Sequence, residues 1–120
     1  MDYHSILTNF GIDVDKSLEL LGDIDTYNEI LEDFYNELDT KLENLKQYKN
    51  ASDMENYAIL VHSLKGECKY LGMDDFAELC YEHQLKSEEN DQNYIDGNFE
   101  LLKAQAIKIK EIVEEYLRSM

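Results

Sequence analysis

The residues best suited to chemistry lie together in the middle of the chain, at His62, Lys65, Gly66 and Lys69. A helix turns by about 100° per residue, so these four residues would share one face. The opposite face would carry the leucines Leu60, Leu64 and Leu71. The glycine, one turn after the imidazole, removes a side chain that would screen it. An accessible imidazole with positive charge around it is typical of a nucleophile that carries an anion.

Each residue of this cluster also has an ordinary interpretation. A single helical histidine is most often a surface or boundary residue. A glycine inside a helix costs about 1 kcal/mol relative to alanine and usually has a packing reason. Lysines opposite a leucine stripe are commonly just solvated. Periodicity alone therefore indicates a helix with an exposed His-Lys-Gly cluster.

Helices on both sides of the cluster would hold it in place. The chain has five glycines and no proline, which favours long helices over a turn-rich β fold. Apolar residues recur at spacings of three and four, as they do along bundle helices. The predicted long helices cover residues 24–49, 53–71, 74–87 and 93–118. Ser52 and Glu55 fit a capping box for the second of them.

A shorter helix is predicted between Asp13, as its N-cap, and Gly22, with residues 1–12 forming a short helix or an irregular lead-in. Short connections between helices imply antiparallel neighbours. The predicted fold is all-α: an antiparallel up-down-up-down four-helix bundle with a short additional N-terminal helix. We interpret residues 1–120 as a single domain with its bundle core over about 24–118.

The formal net charge of −16 argues against binding to nucleic acid or to an anionic membrane surface. No apolar run is long enough to span a membrane, and the first ten residues do not have the pattern of a signal peptide. Cys68 and Cys80 do not form a disulfide framework, so a cytoplasmic location is expected. Cys80 and His83 could begin a metal site, but further ligands are not evident, and packing is the preferred interpretation.

The segment His62-Ser63-Leu64-Lys65-Gly66, with Leu71-Gly72 ending its helix, resembles the signature of histidine-containing phosphotransfer (HPt) domains. The likeness extends over roughly residues 10 to 117. It includes Gly11-Ile12-Asp13 and Gly22-Asp23 upstream, and Leu79-Cys80 and Gln84 downstream. Two positions depart from the family pattern, because Glu67 and Cys68 stand where small residues are usual. A carboxylate at Glu67 needs a partner or water.

The resemblance implies that His62 accepts a phosphoryl group on Nε2, while Gln84 hydrogen-bonds the imidazole. Lys65 lies on the same face and can pair with phosphate oxygens, whereas Lys69 lies one turn further away. Gly66 would admit the loops of a receiver domain. Ile59 and Ala58 are expected to form a small exposed apolar area beside the histidine, suited to a transient protein contact.

The function predicted from this resemblance is that of a phosphorelay phosphocarrier. His62 would take a phosphoryl group from a receiver-domain phospho-aspartate, or from a histidine kinase, and pass it to a response-regulator aspartate. The expected partners are receiver domains and a hybrid sensor histidine kinase, and the chain is expected to be a monomer.

Without a Walker loop or a G-x-G-x-x-G motif, the chain has no recognisable means of binding ATP, so it would supply half of a reaction. No cofactor is expected, and any Mg²⁺ should belong to the partner receiver domain. The alternative is a non-catalytic helical module that binds receiver domains without phosphotransfer. A metal-binding bundle is disfavoured because it needs several inward His and Glu residues.

Overall fold

The computed structural model describes residues 4–120, which form six α-helices and no strand. The helices are α1 (His4–Thr8), α2 (Val14–Leu21), α3 (Ile24–Asn50), α4 (Met54–Tyr70), α5 (Asp74–Glu88) and α6 (Gln92–Ser119). The predicted all-α class is confirmed, and the ends of the four long helices differ from the predicted ends by at most one residue. Within the predicted lead-in, α1 is the short helix, and residues 1–3 lie outside the described part of the chain.

The four long helices form an antiparallel bundle in which each packs against two neighbours. α3 packs on α4 and α6, and α5 packs on α4 and α6, with α4 and α5 in the most extensive contact. Two hydrogen bonds show that α3 and α6 run in opposite directions. Gln92 Nε2 donates to the Lys49 carbonyl over 3.1 Å at one end, and Tyr116 Oη donates to Asn28 Oδ1 over 2.6 Å at the other. Within residues 4–120, no helix is long and apolar enough to cross a membrane.

The core is built from the apolar stripes of the long helices. All six stripe positions of α3 are buried: Tyr27, Leu31, Phe34, Leu38, Leu42 and Leu45. All six stripe positions of α6 are also buried: Phe99, Leu102, Ala106, Ile109, Val113 and Tyr116. Each large side chain buried in this way contributes about 1.5–3 kcal/mol. This burial makes the bundle a rigid support for its outer faces.

Aspartates cap the starts of four helices. Asp53 accepts a hydrogen bond from the Asn56 N–H over 3.2 Å, and equivalent caps are formed by Asp13, Asp23 and Asp91. The predicted capping box of Ser52 and Glu55 is therefore wrong. Ser52 lies in the preceding turn with a φ of 55°, so the residue at the N-cap position of α4 is Asp53.

The N-terminal helices close over the end of α4 where it turns into α5. The Asp13 N–H donates to the Gly72 carbonyl over 2.9 Å, and Tyr27 Oη donates to the Leu71 carbonyl, also over 2.9 Å. Gly72 has a φ of +78°, and a Cβ placed on it would lie 2.2 Å from the Asp13 carbonyl oxygen. Only glycine fits there, because any side chain would push the two segments apart.

Candidate functional site

His62 lies on the outer face of α4 and is exposed. The inner face of α4 is anchored by Val61, Leu64 and Cys68, each fully buried. The predicted leucine face is correct for Leu64 and Leu71, but Leu60 is only partly buried. The reason is that α4 packs against both α3 and α5, which centres its buried side on Val61 and leaves Leu60 at the edge. The anchoring still turns the imidazole toward solvent, as the periodicity predicts.

Gln84 of α5 fixes the imidazole of His62 by a hydrogen bond to its Nδ1. His62 Nδ1 and Gln84 Oε1 are 3.0 Å apart, and Gln84 Nε2 donates to Glu88 Oε1 over 3.1 Å. A carboxylate oxygen only accepts, so Glu88 turns the amide nitrogen of Gln84 toward itself and the amide oxygen toward His62. That oxygen also only accepts, so Nδ1 of His62 carries the hydrogen. The lone pair of the neutral imidazole therefore lies on Nε2, the nitrogen far from the backbone.

Space is open next to His62 at Gly66. A Cβ built on Gly66 meets no atom within 4 Å apart from its own helix backbone, so no packing contact requires the glycine. Because Gly66 has no side chain, the helix face that it shares with His62 stays open to an approaching partner. This finding argues against close helix packing as the reason for the glycine.

The two lysines of this face have different surroundings. Lys65 is partly buried, with its ammonium 4.7 Å from the ring centroid of Tyr81 on α5. Cation–π contacts of this kind hold a positive charge near the surface without neutralising it. Lys69 is exposed and, together with Gly66 and Tyr70, lines a shallow depression toward α2. Lys65 is therefore held against α5, whereas Lys69 lies one turn further along α4.

An open groove of about 780 Å³ runs beside the imidazole between α4 and α5. Its walls include His62, Gln84 and Ile59, and Ile59 is 61% exposed. Ala58 is only 8% exposed, so the expectation that it forms part of an exposed apolar area is wrong. The close packing of α5 on α4 places Ala58 at the floor of the groove. The exposed apolar contact beside the histidine is Ile59.

The two unusual residues after Gly66 point away from the imidazole face. Glu67 forms an ion pair of 2.5 Å with Lys41 of α3, and Lys41 also pairs with Glu37 over 3.3 Å. Burial lowers the pKa of Lys41, but the two carboxylates more than offset it, so its pKa is raised overall. Cys68 is a free thiol in the core, and burial raises its pKa. The partner that the carboxylate of Glu67 requires is therefore Lys41.

A second histidine lies directly behind the site. His83 is fully buried, and its Nδ1 is 2.8 Å from Tyr57 Oη on α4. Burial lowers the pKa of His83 to about 4, so the ring is neutral at pH 7. The packing interpretation of His83 is confirmed, although the sequence gives no indication of its partner Tyr57. Residues 4–120 hold no group of three or more His, Cys, Asp or Glu side chains suited to a metal ion.

Comparison with known proteins gives one match. The sequence model of the family described as "Hpt domain" matches residues 29–117, which is most of the chain. No curated protein and no solved structure gives a significant match. The matched residues include all of α4 and α5, and so His62, Gln84 and Gly66.

Proposed function

The chain belongs to the Hpt domain family, whose role is that of a phosphorelay phosphocarrier, and on that premise we propose that His62 is the residue that carries the phosphoryl group. It receives the group from the phospho-aspartate of a receiver domain, or from a histidine kinase, and passes it to the aspartate of a response regulator. The single observation that supports this assignment best is the hydrogen bond between Gln84 Oε1 and His62 Nδ1, because it leaves the Nε2 lone pair free at the surface.

The transfer needs an in-line nucleophile and little other protein chemistry. The Nε2 lone pair attacks phosphorus, a P–N bond forms, and the P–O bond to the aspartate breaks to release a carboxylate. The imidazole gains positive charge in this step while Nδ1 keeps its hydrogen. Gln84 Oε1 accepts that hydrogen, and Glu88 behind it supplies a negative charge, so the developing charge is stabilised.

Lys65 and Gly66 support the incoming group in this proposal. The Lys65 ammonium rests on Tyr81, one turn from His62 along α4, and a rotamer change would turn it toward the phosphate oxygens. Gly66 and Ile59 border the position of the acyl phosphate and would contact the receiver domain. Any Mg²⁺ is expected in that partner, and no cofactor is assigned to this chain.

The test is transfer of labelled phosphate from a phosphorylated receiver domain. The wild-type chain should gain phosphate that is labile in acid and stable in base, as a phosphoramidate is. His62→Gln should keep the fold and gain none, whereas His4→Gln, on a helix that packs against α6, should be labelled like the wild type. Equal labelling of His62→Gln and the wild type would refute the assignment. Binding of a receiver domain without any labelling would favour the alternative, a non-catalytic interaction module.

A further inference from the structure

The buried pair of Tyr57 and His83 has no role in the phosphocarrier chemistry described above. Both residues are fully buried, and they form a side-chain hydrogen bond between α4 and α5 over 2.8 Å. The His83 ring also lies nearly parallel to the Tyr57 ring at 6.0 Å and meets the Tyr94 ring of α6 edge-on at 5.4 Å. Three helices therefore converge on one imidazole.

This arrangement is unfavourable for stability alone. His83 Nε2 is buried and has no hydrogen-bond partner among the described residues. An unsatisfied buried polar atom costs about 1–3 kcal/mol, and an apolar pair of the same volume would avoid that cost. Polar groups retained in a core despite such a cost are best attested where they fix the register of packed helices.

The position of the pair relates it to the site. His83 immediately precedes Gln84 on α5, and Tyr57 precedes His62 on α4 by little more than one turn. Ser87 Oγ donates to the carbonyls of both His83 and Gln84, over 2.7 and 3.0 Å, which further fixes the α5 backbone at this point. A side-chain hydrogen bond tolerates only a few tenths of an ångström, so a small slip of α5 along α4 would break the contact between Gln84 and His62.

We propose that Tyr57 and His83 are positioning residues for phosphoryl transfer, because their hydrogen bond sets the offset of α5 on α4 that keeps Gln84 Oε1 on His62 Nδ1. They touch neither the phosphoryl group nor His62, and they act through Gln84. This role rests on the proposed function, since it serves the same imidazole. The role also has a consequence that can be tested without phosphoryl transfer: the Nδ1–H tautomer of His62 should depend on Tyr57.

Tyr57→Phe removes the hydroxyl and keeps the ring. Tyr27→Phe is the matched control, because Tyr27 is equally buried and its hydroxyl also makes a hydrogen bond between distant parts of the chain, over 2.9 Å, but away from Gln84. The ¹⁵N chemical shifts of the His62 imidazole report its tautomer in the unphosphorylated full-length chain, and transfer from a receiver domain reports its function. We expect Tyr57→Phe to lower the Nδ1–H fraction and to slow transfer by about tenfold or more, because small misplacements cost up to about a hundredfold. Tyr27→Phe should change neither.

A double-mutant cycle tests the route through Gln84. If Tyr57 acts through Gln84, then Tyr57→Phe should cause no further slowing in a Gln84→Ala background. If the double variant instead shows the product of the two single rate losses, the positioning role is overturned. The same conclusion follows if Tyr57→Phe and Tyr27→Phe have the same tautomer and transfer rate.

A second variant separates positioning from folding. Tyr57→Phe combined with His83→Leu leaves no unsatisfied polar atom at these two positions, so it should be at least as stable as the wild type while still losing the tautomer preference and the rate. A stable double variant with wild-type values of both would also overturn the role. If the wild-type chain accepts no phosphate, the proposed function fails, whereas the tautomer comparison still decides whether the pair positions Gln84.

Discussion

Replacement of Gly66 by glutamine separates docking from stability at a single position. A Cβ on Gly66 meets nothing within 4 Å, and its backbone lies in the ordinary helical region, so a side chain is accommodated without strain. Glycine costs about 1 kcal/mol in a helix interior relative to alanine, and glutamine only a few tenths. Gly66→Gln should therefore raise the free energy of unfolding by roughly 0.5–1 kcal/mol. For a chain of this size, that corresponds to an increase in Tm of about 2–4 °C.

The same side chain stands one turn from His62, where the receiver domain would approach. We expect transfer from a phosphorylated receiver domain to fall by roughly a hundredfold, since displacement of the reacting groups by about 1 Å has that effect. Thermal unfolding and single-turnover transfer are the two measurements. Gly97→Gln is the matched control, because Gly97 is also helical and open to a Cβ, but lies on α6. It should gain similar stability and transfer at the wild-type rate.

Two results would refute this reasoning about Gly66. A loss of several kcal/mol in Gly66→Gln, beside a stable Gly97→Gln, would show that the glycine serves packing. A stable Gly66→Gln with unchanged transfer would show that the face beside His62 is not where the partner approaches.

Three further changes test other parts of the structure. Lys65→Ala should slow transfer and leave Tm within a few degrees, and an unchanged single-turnover rate would contradict a role for its charge. The pKa of His83 is lowered by burial from 6.5 to about 4, so the unfolded chain binds the proton first and stability falls as the pH drops between those values. At about 1.4 kcal/mol per unit, this loss reaches roughly 3 kcal/mol. Urea unfolding of the wild type and His83→Phe should differ by that slope, and parallel pH profiles would contradict it. Glu67→Gln should cost up to about 1 kcal/mol by removing one of the two carboxylate partners of Lys41, with a smaller loss in about 1 M salt. Salt-independent stability differences in urea would argue against an ionic contribution.

The sequence predicts the helices well because the apolar spacing that defines a helix and its buried face lies within a short stretch of chain. Spacings of three and four identify the buried face of α3 from Tyr27 to Leu45, and the observed burial follows that pattern. The start of α4 was less predictable, because Ser52 and Asp53 are both good cap residues. Which of the two becomes the N-cap depends on which adopts the left-handed conformation of the preceding turn, and Ser52 does so. The edge position of Leu60 likewise depends on how two neighbouring helices divide the surface of α4.

The site divides along the same line. Periodicity places His62 outside and His83 inside, but it does not state which residues of α4 and α5 meet, because that depends on the offset between the two helices. Gln84 was located beside His62 only through the family resemblance, and the structure brings the two within hydrogen-bond distance. Neither periodicity nor the family resemblance predicts that Tyr57 pairs with His83. The spacing of Glu88, one turn beyond Gln84 on the same face of α5, is itself a signal for the hydrogen bond between them.

The junction between Gly72 and Asp13 bears on where this folding unit begins. The matched family segment starts at residue 29, yet α1, α2 and the turn between them precede it and contribute the buried side chains Leu7, Ile12 and Val14 to the common core. A truncation to residues 29–117 would remove these side chains and the N–H that satisfies the Gly72 carbonyl. The end of α4 and the turn into α5 would then lose their cover and open as a local unfolding unit. The packed core of this protein therefore extends beyond the segment by which its family is recognised.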